Sequence, residues 1–477
     1  MRKKYPVLAD ILPPDRNNFA AIRLAMALSV LVSHSYWLAT GRSALEPLHA
    51  WTQHSLGEHA VQVFFFLSGV VVAQSLFKSR SLIDFASARV LRIFPALIAC
   101  VLLTALVLGP LVTGASLKAY FADQGVLAYI AKTISLSTGS APLPGVFGGV
   151  PLPRLVNLSL WTLKYEVICY ALLAGFGFAA IRFPACRNVM TAGLAIVIAL
   201  IFAGAPKPIA GYTMADNIRY FILFFGAGTL AYLVRDRLVL TWIALPPLFM
   251  AFAFAIGTRF AELTSALFLG YATLMIASLS LPRLRWFTND QDYSFGVYIF
   301  ACPIQQMLLD QRPGTGPLEL TLVAICIVLP LAILSWQLIE RPAMRLRPPL
   351  VAWIRRKAGL LEDRPAIAGT GRQPRIATVA AIRAMADTAP LVSLAPLKAP
   401  AGDKQNVALA DRAPAAQSQA KRRARIAPVE PAALPKLEPA AGSKRINTAD
   451  LLLGMLHQRR EQAATRGFKF ARTIRVP

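Results

Sequence analysis

Apolar runs of roughly 20 residues recur along the first 340 positions of this chain, separated by short polar connectors. Each run has about the length at which a helix crosses a bilayer. They predict ten spans, at roughly 19–39, 58–77, 95–114, 157–181, 189–205, 218–234, 238–257, 261–281, 293–310 and 318–339. Backbone polar groups at membrane depth must be satisfied within the segment, so the expected fold is all-α, a polytopic helical bundle. The apolar fraction of 56% agrees, since soluble domains run near 45–50%.

The polar connectors carry an orientation. One alternating set holds Lys78, Arg80, Arg89 and Arg92, then Arg182 and Arg187, then Arg235 and Arg237, then Arg283 and Arg285, and finally Arg341, Arg345 and Arg347. The other set is poorer in cations. Basic connectors stay in the cytoplasm, so both termini are expected there. Residues 1–18, "MRKKYPVLADILPPDRNN", read as a retained cytoplasmic arm rather than a cleaved leader. The largest outer connector, about 115–156, reads as a lid with an amphipathic helix in "LKAYFADQGVLAYIAKTISL".

Beyond the last span the composition shifts to Ala, Pro, Arg and Lys. From Arg341 to Pro477 there are 26 Lys and Arg against 9 Asp and Glu, a net +17 of the chain's +26. Such a segment buries too little apolar surface to offset its chain entropy, so 346–477 is expected to be a disordered basic cytoplasmic tail. Its clusters suit anionic lipid at the inner leaflet. Nucleic acid is the lesser reading, because the tail is tethered to a membrane. The five cysteines form no CxxC pair, and neither a disulfide framework nor a metal site is indicated.

Two groups in the first span are foreign to hydrocarbon. Arg23 and His34 stand eleven residues apart, about three helical turns, so they share a face at a separation of roughly 16 Å. Arg23 falls near the cytoplasmic boundary and His34 near the middle or just beyond. Ionisable groups in spans usually face a bundle interior or a watery cavity. A neutral imidazole can accept a proton from a hydroxyl near working pH. In "SARVLRIFP", Arg89 and Arg92 share a helical face just before Pro95, where the third span is expected to open. Two guanidiniums so placed make a phosphate clamp, or simply the positive charge of an inner boundary. A cationic lip with a base roughly 16 Å deeper suits a donor with a phosphorylated head and a long thin arm, as in coenzyme A thioesters.

The chain resembles the membrane-bound acyltransferase-3 family, the integral-membrane O-acyltransferases of bacterial surface polysaccharides. The motifs run in family order: "RLAMALSVLVSH", "AVQVFFFLSGVVVA", "RVLR", "LWTLKYEVICY", "DYSFGVYIFACPIQQ" and "SWQLIERP", over about 15–345. The resemblance implies a catalytic histidine at His34 and acyl-CoA, usually acetyl-CoA, as co-substrate, with no tightly bound cofactor. It implies the paired arginines in donor binding and a sugar hydroxyl across the bacterial inner membrane as acceptor. Residues 19–345 would then be the acyltransferase domain. Two positions depart from the pattern: Gln62 replaces a common Asp, and Ala301 and Cys302 precede Pro303 where a His is common.

The expected roles follow. His34 is the general base, with direct attack on the thioester or an acyl-imidazole left open. Glu166 orients His34 or binds a sugar hydroxyl, or else pairs with Lys164 or an arginine of another helix. Arg23, Arg89 and Arg92 hold phosphates. Trp161 and Tyr165 are candidate sugar platforms, and Gln305 and Gln306 either bind acceptor or join helices. Ser68 and Gly69 read as a small pair that lets helices approach. The rival reading is a polytopic transporter of a sugar or acylated compound, which would show repeated halves with broken helices.

Overall fold

The computed structural model describes residues 5–359 apart from 80, 140, 184–186, 204–212 and 280–290. Those described residues are mainly helical, with one isolated antiparallel bridge, Val7 to Val239, and no strand. Ten helices overlap the ten predicted runs: α1 Phe19–Thr40, α2 Leu56–Ser79, α3 Leu82–Leu103, α4 Leu163–Arg182, α5 Arg187–Ala203, α6 Met214–Leu233, α7 Leu245–Ala255, α8 Ala261–Ser278, α9 Ser294–Gln311 and α10 Pro317–Ser335. Six stretches are long and apolar enough to cross a membrane: Phe19–Thr40, Leu56–Ser79, Leu82–Val112, Ser159–Arg182, Ala261–Ser278 and Pro317–Lys357. This is a membrane protein, and the other four helices are shorter or more polar than that criterion asks.

Local chemistry sets the ends. Gly41 stops α1 in the left-handed region at φ 69°, its N–H donating to the Trp37 carbonyl. Ser55 and Glu58 form a reciprocal cap at the start of α2: the Glu58 N–H donates to Ser55 Oγ at 3.1 Å, and the Ser55 N–H to Glu58 Oε2 at 2.6 Å. Ser81 accepts from the Asp84 N–H and starts α3.

Helix α3 begins thirteen residues before Pro95, so Pro95 lies inside it and Arg89 and Arg92 ride on the helix itself. The expected start at 95 was too late, because the polar first turns of this helix hide in an apolar-run reading. A second difference lies past α10. The chain continues through a π turn at Trp336–Glu340 and Arg341–Arg345 into α11, Arg347–Lys357. This helix is held to α3 by Asp84, which pairs with Arg347 at 3.1 Å and Arg355 at 3.5 Å. Residues 347–357, expected to be part of a disordered tail, are therefore helical, and the rest of that segment from 360 lies outside the described residues.

Helix α2 is the pivot, packed on α1, α4, α6 and α8. Its approach to α6 is set by glycine on both sides. A Cβ at Gly69 would stand 2.1 Å from the Phe225 carbonyl oxygen, and one at Gly228 would stand 2.0 Å from that of Phe66. The two backbones touch, as the Ser68–Gly69 reading expects. On the other side α9 packs on α1 and α10.

The outer connector is folded rather than loose. It contains two short helices, Leu117–Ala122 and Gln124–Ile134, and buries Tyr120, Tyr129 and Phe147 almost completely. Prolines in the core create its anchors. Pro303 has no N–H for the Ile299 carbonyl. That oxygen accepts instead from Asn157 Nδ2 at 2.8 Å and Cys100 Sγ at 3.3 Å. Tyr120 likewise donates to the Ala105 carbonyl at 2.7 Å, just ahead of Pro110. Gln306 Nε2 donates to the carbonyls of Leu152 and Leu155, and Leu158 N–H donates to Cys302 Sγ at 3.0 Å. So Cys302, where the family pattern favours His, works here as a clasp between α9 and the connector.

Candidate active site

Three cavities adjoin end to end through the bundle. The first is a vestibule of about 730 Å³ at the arginine-rich end, where α1, α3 and α9 begin. The second is a neck of about 90 Å³, which shares Arg23, Val71, Arg89, Arg92 and Asp292 with the vestibule. The third is a chamber of about 430 Å³ that meets the neck at Val61 and Tyr298 and contains His34. The first helix therefore contributes an arginine to one end of this line and a histidine to the other, as their spacing predicts.

At the vestibule floor the charges are interlocked. Asp292 Oδ2 bridges Arg92 Nη2 at 2.7 Å and Arg23 Nη2 at 3.0 Å. Arg92 Nη1 reaches Glu340 Oε2 at 2.7 Å. Glu340 is fully buried and accepts a further bond from Ser335 Oγ at 3.2 Å. The Arg92 guanidinium also faces the rings of Trp336 and Phe295, at 5.4 and 5.6 Å. Asp292 Oδ1 accepts from the Ser294 N–H and hydroxyl, closing the first turn of α9. Burial alone would push the Asp292 carboxyl up, but Arg23, Arg92 and the Ser294 bonds outweigh it and hold it below the usual carboxylate range.

Arg89 is placed differently. Its guanidinium faces the Tyr170 ring at 5.8 Å, Nε has no hydrogen-bond partner, and no carboxylate lies within 4 Å among the described residues. Of the three arginines predicted to hold phosphate, Arg89 is thus the one with no carboxylate in ion-pair contact, although its charge acts on Glu166 in the neck they share. The helix starts of α1 and α9 add positive partial charge to the same end.

Glu166 lines the neck rather than the chamber of His34. It accepts a short hydrogen bond from Tyr170, one turn along α4. The two predicted catalytic residues therefore occupy different cavities, and Glu166 does not orient the imidazole. His34 makes no hydrogen bond among the described residues, and its Nδ1 is shielded without a partner.

The chamber gathers Trp161, 39% exposed, with His49, Glu58, Asn217 and Tyr220. Trp161 meets Tyr165 edge-on at 5.7 Å. Tyr165 itself is buried, accepts from Asn217 Nδ2 at 3.2 Å, and stands behind the wall rather than on it. Gln305 does not reach the chamber either. Its Nε2 donates to the Leu31 carbonyl at 2.8 Å and Ser35 Oγ at 2.7 Å, tying α9 to α1 on either side of His34 in sequence. Gln62, where Asp is common, accepts from Ser265 Oγ and contacts His59 Nδ1 through Oε1, and donates to Tyr220 Oη at 2.7 Å. It is a polar joint of α2, α6 and α8.

Asp292, Glu340 and Tyr298 escaped the sequence reading. All three sit in quoted motifs, "DYSFGVYIFACPIQQ" and "SWQLIERP", and for the first two a carboxylate at a span boundary was the available signal. No cluster of His, Cys, Asp or Glu suited to a metal ion occurs among the described residues.

A family model described as an acyltransferase domain matches residues 17–341. The chain is 29% identical over 340 residues to a protein named O-acetyl transferase from Shigella phage Sf6, covering 68% of this chain and 95% of that one. It is 30% identical over 366 residues to nodulation protein 10 of Rhizobium leguminosarum bv. viciae, covering 71% and 95%. No solved structure matches.

Proposed function

This chain belongs to the acyltransferase family whose domain spans its residues 17–341, and on that premise we propose that it moves an acetyl group from cytoplasmic acetyl-CoA to a sugar hydroxyl of a polysaccharide or lipid-linked glycan beyond the inner membrane. The observation that carries the proposal is the line of three cavities, which joins an arginine-rich mouth to the imidazole of His34. Both termini, the arm 1–18 and the tail lie on the cytoplasmic side in this reading, and the basic tail rests on anionic lipid. The coenzyme's phosphates bind in the vestibule, with Arg89 as their primary anchor and Arg23 beside it. The thin pantetheine arm threads the neck past Glu166 and Tyr298. The thioester carbonyl then stands at the chamber beside His34.

The acceptor enters the chamber from the other side and stacks on Trp161. His34 takes the proton of its hydroxyl as the oxygen attacks the thioester carbon. The tetrahedral intermediate collapses, the carbon–sulfur bond breaks, and the coenzyme thiolate recovers the proton from the imidazolium. No carboxylate is needed beside His34, because the imidazolium exists only between these two transfers.

The test is radiolabelled acetyl-CoA added to inverted membrane vesicles that hold the full chain and a glycan acceptor. The expected result is label on carbohydrate with the wild type and at least a hundredfold less with His34→Ala, at equal amounts of inserted protein. Undiminished transfer by His34→Ala, or uptake of label without transfer, refutes the assignment.

A further inference from the structure

The vestibule has a fourth arginine that the family match does not reach. Arg347 lies past residue 341, at the start of α11, yet it lines the vestibule with Met344. It lines the vestibule alone, whereas Arg23, Arg89 and Arg92 line vestibule and neck together. Arg347 is therefore the outermost of the four along the line of cavities. Its position is fixed in advance. Nε donates to Asp84 Oδ1 at 3.2 Å, Nη2 stands 3.1 Å from the same oxygen in an ion pair, and Asp84 is also held by Arg355. A guanidinium has five N–H donors, and its contacts with one oxygen do not use them all. The side chain is 36% exposed, open enough for a ligand to meet it.

This bears on the donor reading above and rests on it. A coenzyme A thioester carries phosphate in two places. The diphosphate adjoins the pantetheine arm, and the ribose 3′-phosphate is farther from the thioester. With the arm in the neck, the diphosphate meets Arg89 and Arg23, and the 3′-phosphate comes to rest farther out. The geometry points to Arg347 as the residue that binds the 3′-phosphate, so that α11 is part of the donor site and sets its specificity for the 3′-phosphorylated coenzyme.

The test compares acetyl-CoA with 3′-dephospho-acetyl-CoA as donors for the full-length protein in vesicles. The wild type should show a KM about tenfold lower for acetyl-CoA, the scale of one partly exposed charge-assisted contact. Arg347→Ala should raise the acetyl-CoA KM to the level of the dephospho donor and erase the difference. Arg347→Lys keeps a charge without the planar fork, and should fall between. Arg355→Ala removes the other Asp84 partner from outside the vestibule, and should keep the wild-type ratio, which separates phosphate contact from mere anchoring of α11. Equal KM values for the two donors in the wild type, or an equal rise for both in Arg347→Ala, would overturn the assignment while leaving acetyl-CoA as the donor. A wild type that transfers from neither donor would refute the donor reading itself, and this assignment with it.

Discussion

Replacing Arg92 with methionine separates two roles for that side chain, and the structure assigns a magnitude to the structural one. Arg92 is 18% exposed in its side chain, Asp292 11% and Glu340 0%. After the substitution Asp292 keeps Arg23 at 3.0 Å. Glu340 keeps only the Ser335 hydroxyl at 3.2 Å and loses its cation. Removing one partner of a buried pair costs about 3–5 kcal/mol, chiefly because the other charge stays behind. At roughly 2–4 °C per kcal/mol for a domain of some 200 residues, Arg92→Met should melt about 10 °C below the wild type. Adding Glu340→Gln removes the stranded charge and should restore most of that loss. The measurement is thermal unfolding in detergent, followed by intrinsic fluorescence and by the monodisperse fraction on size exclusion. Acetyl-CoA binding is then measured well below both melting points. If Arg92→Met melts within about 2 °C of the wild type but loses the donor, Arg92 is a free phosphate ligand and the charge lock is wrong.

Three further outcomes follow from the same geometry. Gly69→Ala places a methyl 2.1 Å from the Phe225 carbonyl oxygen, so α2 and α6 must part, with a loss of about 1–3 kcal/mol seen as a lower melting point; an unchanged melting point would mean that the helices are not in backbone contact. Asp292 has its carboxyl held below the usual range in the folded state. Its contribution is thus present above the unfolded value near 4 and fades as pH falls through the lower folded one; melting points from pH 6 to 3 should drop less steeply in Asp292→Asn, and parallel curves would refute this. His34→Ala should leave the melting point within about 1 kcal/mol of wild-type stability while transfer is lost, and unfolding would make its inactivity uninformative about the base.

The helices were legible because a bilayer demands long apolar runs, and such runs leave a mark in any sequence. The shared face of Arg23 and His34 was legible too, since helical geometry alone decides it. What the pattern did not hold was partnership. Arg92 meets carboxylates 200 and 248 positions away, and no local periodicity encodes that. Its spacing from Arg89 suggested two equal phosphate ligands, where the fold makes one a lock and leaves the other open. Gln305 shows the same limit. A polar side chain in a span must turn inward, but whether it turns toward a cavity or a neighbouring helix depends on the rotation of helices the sequence does not specify. Tyr165 and Trp161 are four apart in sequence, and only one of them reaches the chamber.

The narrow middle of the line has a bearing on the cell that houses the protein. A continuous water column from one face of an energised membrane to the other would let protons run down their gradient. The neck, at about 90 Å³, is walled by Val61, Phe64, Phe65 and Phe295 together with the charges of Arg23, Arg89, Arg92, Glu166 and Asp292, and has room for only a few waters. On the proposed reading that the two substrates arrive from opposite compartments, the neck would restrain such a leak by its narrowness and by the fixed positive charge of its arginines.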